Sequence, residues 1–356
     1  MHYVTCLRTG QNDIRALTEL EPERMQNVFP LLNMRGKNDR HLQSFLAAWS
    51  GPNFSLDISP YASDAQDVFL VERNLLSSGG GYQERRAFFR EIRQENERII
   101  PSISWKSNHP ARDTTQFALR LEDEHPMIAI RPTLWGTDKR LQWARTKNIL
   151  NAVADLERTW LFLDVGSISS VQDMAEHEVL GEALDWLQRV ELAGVAILST
   201  SFPQTKPANR TSHTIPCLDY AAQSLVAPTG LATELTYGDY AATNADGAME
   251  YIAGMPVIPF ASYLAGGEWW QKRDGADKEF SRYVDIAGEI ETLAGYHGPD
   301  FCWANREMHS IALGQRGNGN NGIWNGFRIN QHICGMLEIL EQGGFPSAPE
   351  EADDEL

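Results

Sequence analysis

Short apolar runs and longer amphipathic stretches alternate through the first part of the chain. The runs Tyr3 to Arg8, Val28 to Arg35, Phe54 to Pro60, Ile99 to Trp105, Met127 to Thr133, Trp160 to Val165, Val195 to Ser201 and Leu235 to Ala241 are rich in Val, Ile, Leu, Phe or Trp. Each is closed by proline, glycine or polar residues, which predicts eight buried strands. Stretches near 11–26, 38–49, 82–97, 111–123, 137–158, 171–191 and 217–226 predict helices between them. In 171–191 the residues Val179, Ala183, Trp186, Leu187 and Val190 recur at helical spacing, so one face should lie on a sheet and the other in water. Alternation of this kind builds parallel βαβ units. A count of eight favours a closed (β/α)8, TIM-barrel-like α/β fold over an open doubly wound sheet.

After Ala242 the rhythm changes. Met255 to Phe260 and Ser262 to Trp270 predict a hairpin about Gly266-Gly267, although Pro256 and Pro259 disfavour a central strand. Helices are expected at 277–294 and 324–342. The expected organisation is an α/β barrel over 1–242, a C-terminal elaboration completing or capping it over 243–345, and an acidic disordered tail over 346–356.

Composition narrows the class. With 356 residues, 42% of them hydrophobic and 22% charged, the chain can bury a large core and is not a disordered polymer. No apolar run approaches bilayer length and the start lacks a secretory signal pattern, so a cytoplasmic protein without membrane contact is expected. Cys6, Cys217, Cys302 and Cys334 lie far apart and form no CxxC pair, which points to thiols. The net charge of −17 argues against bulk nucleic-acid binding. That charge is uneven: 20 basic against 18 acidic residues up to Leu150, 11 against 30 after it. A local cationic site in the first part therefore remains open. Arg86, Arg90 and Arg93 share a helical face there, and their neighbouring glutamates favour a salt-bridged solvent face over a binding strip.

In a parallel barrel, chemistry sits at the C-terminal ends of the strands. Those ends carry Arg8, Asn33, Asp57, Lys106, Arg131, Asp164 and Asp239. Arginine forks and a lysine suit an anionic ligand, so Arg8, Asn33, Asp57, Lys106 and Arg131 are the candidate binding residues, with Asp164 and Asp239 as candidate catalytic bases or metal ligands. On this reading Asp57, Asp164 and Asp239 come to one rim. The alternative is a set of ion pairs sealing the mouth of a packed barrel.

Other signals are weaker. Gly317-Asn318-Gly319-Asn320-Asn321-Gly322 matches GxGxxG but lies outside any βαβ unit, which favours a Gly/Asn loop. His297, Cys302, His309, His332 and Cys334 lack the paired spacing of a zinc site. Ser199-Thr200-Ser201 lacks the GxSxG context of a nucleophile, and Trp269, Trp270 and Trp303 read as core.

Several of these residues form an ordered series. Tyr3-Val4 with Asp13-Ile14-Arg15-Ala16-Leu17, then Phe29-Pro30-Leu31-Leu32-Asn33-Met34, Ile130-Arg131, Leu163-Asp164-Val165-Gly166, Ser201-Phe202-Pro203, Tyr237-Gly238-Asp239-Tyr240, Trp324 and His332-Ile333 resemble the "beta protein" family of bacteriophages and bacterial mobile or defence loci. Arg131, Asp164 and Asp239 match the family pattern. Arg8 stands where the family has Lys, Asp13 where it has Glu, Asn33 where it has an acid, and Gln331-His332 where it has His-His. The resemblance implies a biological context rather than a reaction, and the loss of an acid at Asn33 weakens any metal- or base-dependent chemistry. Sequence therefore leads to a protein that binds a phosphate-containing or nucleotide-like anion at the strand ends, with hydrolysis left open. The alternative is a non-catalytic regulatory protein that docks on a host or phage protein through its acidic surface. The sequence assigns neither a metal nor a cofactor.

Overall fold

The computed structural model describes residues 3–58, 62, 66–227, 230–245 and 255–343. The predicted tail over 346–356 lies outside the described residues. Eight parallel strands close a barrel: β1 (Tyr3–Arg8), β2 (Val28–Met34), β3 (Phe54–Ile58), β4 (Ile99–Ile103), β5 (Ile128–Ile130), β6 (Thr159–Ser167), β7 (Gly194–Thr200) and, beyond β8 (Thr211–Pro216), β9 (Leu235–Asp239). Closure is made where β9 meets β1, with Tyr3 opposite Tyr237, Val4 opposite Gly238 and Thr5 opposite Asp239. The closed (β/α)8 barrel expected from the alternation is the observed fold.

Every second residue of a strand points inward. Val4 and Cys6, Phe29 and Leu31, Trp160 and Phe162, and Ala196 and Leu198 fill the interior in layers, with Ile100 and Ala129 between them. Continuing the same alternation toward the C-terminal ends brings Arg8, Asn33, Arg131 and Asp164 to the top of those columns. The outward residues join the larger core beneath the helices.

Two predicted helices break. Residues 11–26 form helices at Gln11–Thr18 and Pro22–Met25, the second opened by the proline, and 171–191 divides into Val171–Ala175 and Glu178–Leu187. The predicted hairpin turns at Gly266-Gly267 as expected, but its first strand, β10 (Phe260–Ala265), begins only after Pro259. Its second strand is β11 (Glu268–Arg273), and β8, from within the barrel's own sequence, pairs with its outer edge. Helices at Tyr283–Glu291 and Trp303–Ala312 follow. The last helix, Asn321–Glu341, packs on β10 and on helix 11–18. Tyr220, in the helix Asp219–Val226, donates to the Gly343 carbonyl at 3.0 Å. The last helix thus lies beside the barrel's first helix, and the residues just after it are tied to the helix that follows β7. No helix among the described residues is long and apolar enough to cross a membrane.

Candidate functional site

Arg131 sits at the centre of the barrel's polar top layer. Its Nε and Nη2 donate to Asp164 Oδ2 at 3.2 and 2.8 Å, and Nη1 donates to Asp57 Oδ2 at 3.0 Å and to Asn33 Oδ1. Tyr240 accepts from Nη2 at 3.2 Å and donates its own hydroxyl to Asp164 Oδ1. Ser104 donates to Asp57 Oδ1, and Asn33 Nδ2 lies 3.3 Å from the Cys6 sulfur. Arg131, Asp57 and Asp164 are at most 3% exposed. Burial works against the Arg131 charge, but Cys6, Asp164, Tyr240 and Asp57 outweigh it and keep the guanidinium protonated. Burial pushes the Asp57 carboxyl up from its ordinary range despite Arg131, and pushes the Cys6 thiol up to about 12. A bulge in β6 between Asp164 and Gly166 shifts the register there, and Gly166 takes φ +77° against the Trp135 ring, where a Cβ would lie 2.6 Å from a ring carbon. Four of the sequence-selected residues thus meet in one closed network, Asn33, Asp57, Arg131 and Asp164.

Arg8 faces a different space. A cavity of about 300 Å³ opens at the C-terminal ends of β1, β7 and β9, lined by Arg8, Asp13, Phe202, Lys206, Phe260 and Arg328 among others. Asp13 comes from the first turn of helix 11–18, Lys206 from the segment after β7, and Arg328 from the last helix. Arg328 lies over the Phe202 ring at 4.7 Å and Lys206 over Phe260 at 4.9 Å. Arg328 Nε is buried without a hydrogen-bond partner, and among the described residues neither Arg328 nor Lys206 has a carboxylate within 4.0 Å. Burial lowers the Lys206 pKa, aided by the charges of Arg328 and Arg273, and burial brings Arg328 down to about 10. Burial raises Asp13, with Arg8 and Arg328 opposing it. The cations are crowded and partly desolvated, a state that an incoming anion relieves.

Asp239 does not join the rim of Asp57 and Asp164. Gly238 in β9 and Tyr240 just after it face inward, so Asp239 faces the layer between barrel and helices. There it accepts from the Tyr3 hydroxyl, the Tyr237 hydroxyl at 2.9 Å, the Ala241 amide at 2.7 Å and His332 Nε2 at 2.7 Å. His332 stacks on Trp269, and its Nδ1 is buried without a partner. Sequence reasoning passed over Asp219. This buried carboxylate accepts from Ser199 Oγ at 3.2 Å, Ser201 Oγ at 2.6 Å and the Ser201 amide at 2.9 Å, so the serines serve an acid rather than act as nucleophiles. Burial and the neighbouring Asp239 raise its pKa.

Lys106 stands apart from Arg8, on a separate cavity beyond β4 and β5. The Gly317–Gly322 segment is a loop that runs into the last helix, with Asn320 capping the Ile323 amide at 3.2 Å. His297, His309 and His332 turn to Tyr263, Glu291 and Asp239 respectively. No group of three or more His, Cys, Asp or Glu residues suited to a metal occurs among the described residues. Arg86 and Arg90 both pair with Glu124, at 3.0 and 3.1 Å, as a salt-bridged face. Lys206 and Arg328 were missed because their segments meet only in the fold. The one signal in the sequence was an arginine within the otherwise apolar series Ile323, Trp324, Phe327 and Ile329.

No curated protein matches this chain. The family described as Beta protein matches residues 3–338, nearly the full length and spanning every residue of the networks above, and the chain belongs to that family.

Proposed function

We propose that the protein binds a phosphate-bearing or nucleotide-like small molecule at the C-terminal end of the barrel, with Arg8, Lys206 and Arg328 as its ligands. The observation that carries this reading is the cavity in which these three cations converge while Asp13 is the one carboxylate among its described lining residues. A pair of guanidinium groups and an ammonium suit phosphate oxygens, and the volume lies at the small end of ligand pockets. Asn33, opposite Arg8 in the β1–β2 register, ties the cavity wall to the Arg131 network, which acts as a rigid floor. Hydrolysis is not part of the proposal: both oxygens of Asp164 and both of Asp239 already accept from buried donors. The setting in phages or mobile loci implied by the resemblance is its biological context. The docking alternative rests on the acidic C-terminal part of the chain, whose tail over 346–356 lies outside the described residues.

Isothermal titration with inorganic phosphate, pyrophosphate and AMP tests the reading. Saturable binding is expected to weaken at least about tenfold, some 1.4 kcal/mol, in each of Lys206→Met and Arg328→Met. Absence of binding by the wild type, or equal binding by both folded variants, overturns it.

A further inference from the structure

A second site is built on the far side of the mouth. Beyond β4 and β5 a cavity of about 270 Å³ is lined by Trp105, Lys106, Ser107, Trp135, Asp138 and Gln142 among others. Trp105 is 2% exposed, yet its Nε1–H has no acceptor. Arg145, one helical turn beyond Gln142 on helix Lys139–Leu150, lies with its guanidinium carbon 5.8 Å from the centre of the Trp105 ring. Arg145 is 6% exposed, and its Nε and Nη1 are both buried without hydrogen-bond partners. Among the described residues it has no carboxylate within 4.0 Å. Gln142 donates to Ser107 at 3.2 Å, so the cavity wall is itself ordered.

Buried donors are almost always satisfied, and an unsatisfied guanidinium is costly. Three buried donor nitrogens without an acceptor, on two adjacent and nearly inaccessible side chains, are the mark of a missing acceptor. Its sign follows from the surroundings. Arg85 is buried nearby, donating to the Leu75 and Ser104 carbonyls at 2.6 and 2.9 Å and leaving Nη2 unmet. His109, bonded to Tyr82 at 2.8 Å, is held down to about 4 by burial and by the charges of Arg85, Lys106 and Arg145, against the weaker pull of Asp113. Asp138 at the cavity's edge is exposed, and its side chain makes no cap with the helix that follows it.

From this geometry we infer that the cavity between Trp105 and Gln142 is a second binding site for an oxyanion, a carboxylate or phosphate group seated on the Trp105 indole N–H and Lys106, with the Arg145 guanidinium over the Trp105 ring supplying positive charge from behind the cavity wall. The site is separate from the Arg8–Lys206–Arg328 cavity, shares no lining residue with it, and does not depend on it.

The indole N–H resonances of the full-length ¹⁵N-labelled protein report on it directly, with Trp105→Phe identifying the Trp105 signal. Titration with sodium phosphate and, separately, sodium acetate is expected to move that signal saturably, and the tighter of the two names the oxyanion. Arg145→Met should weaken the response at least tenfold, while Asp138→Asn, an exposed change that leaves the fold intact, should tighten it. Arg328→Met, which disables the first cavity, should leave the Trp105 response unchanged; loss of phosphate binding in that variant alone speaks only to the first site. The inference is overturned if the Trp105 signal stays fixed to tens of millimolar of both anions, or if Asp138→Asn does not tighten binding.

Discussion

Two nitrogens of Arg131 converge on one oxygen of Asp164, Nε at 3.2 Å and Nη2 at 2.8 Å, and the other oxygen of Asp164 takes the Tyr240 hydroxyl. With Nη1 shared between Asp57 and Asn33, one guanidinium holds together strands β2, β3 and β6. Removing it leaves two buried carboxylates facing each other. Arg131→Met is therefore expected to cost about 3–5 kcal/mol. Urea unfolding checks this, and the triple change Arg131→Met, Asp57→Asn, Asp164→Asn should recover much of the loss. If the triple variant is no more stable than the single one, repulsion between the stranded acids is not the cause.

The barrel was legible because its strands are buried on both faces. Continuous runs such as Trp160 to Val165 give the strand, and the polar residue ending each run gives the rim. Strand parity set the limit. Asp239 ends its run as Asp164 does, but whether it faces the interior depends on Gly238 sitting opposite Val4, a register that only closure of the barrel fixes. β8 escaped notice because Thr211 to Pro216 is an exposed edge strand of polar residues and carries no apolar run. Helix Trp303–Ala312 was missed in a stretch where Cys302 and His309 were weighed as zinc ligands and set aside for want of paired spacing. The two cavity cations Lys206 and Arg328 are 122 positions apart in sequence. No local pattern could pair them.

Asp239 accepts four hydrogen bonds, and two of its donors, Tyr3 and His332, come from the two ends of the chain. Asp239→Ala strands the Tyr3 and Tyr237 hydroxyls and His332, at about 1–3 kcal/mol for each buried group left unmet. A loss of at least about 3 kcal/mol in chemical unfolding is expected. A loss below about 1 kcal/mol would mean that water replaces the carboxylate and the junction is not dry.

Two glycines separate packing from backbone freedom. At Gly238 an added Cβ would lie 2.6 Å from the Ile197 carbonyl oxygen, a backbone atom that cannot turn away. Gly238→Ala should therefore cost about 1–3 kcal/mol. Gly181 lies exposed in helix Glu178–Leu187 with nothing within 4 Å of the added atom. There alanine should stabilise by about 0.5–1 kcal/mol, because glycine is the poorer helix former. Melting temperatures moving in opposite directions confirm both; a change of the same sign contradicts one of them.

His125 gives the protein an acid-sensitive point. It is 2% exposed, neither ring nitrogen has a hydrogen-bond partner, and burial with the charges of Arg93 and Arg90 lowers its pKa to about 4. In the unfolded chain the ring titrates near 6.5. Between those values the unfolded state binds a proton that the folded state refuses, so stability falls as pH falls. The contribution is fully present above pH 6.5 and is lost as pH drops through about 4. His125→Phe keeps a planar ring and removes both the titration and the unmet nitrogens, so its stability at pH 7.5 should lie within about 1 kcal/mol of wild type. By pH 4.5 the variant should have lost about 2 kcal/mol less than wild type, because each tenfold difference in proton affinity between the folded and unfolded chain is worth about 1.4 kcal/mol. His109, lowered to about 4 as well, leaves part of the acid sensitivity in place. Urea midpoints measured every half unit from pH 7.5 to 4.5 decide the matter: parallel profiles for wild type and variant would mean that folding leaves the His125 pKa unshifted.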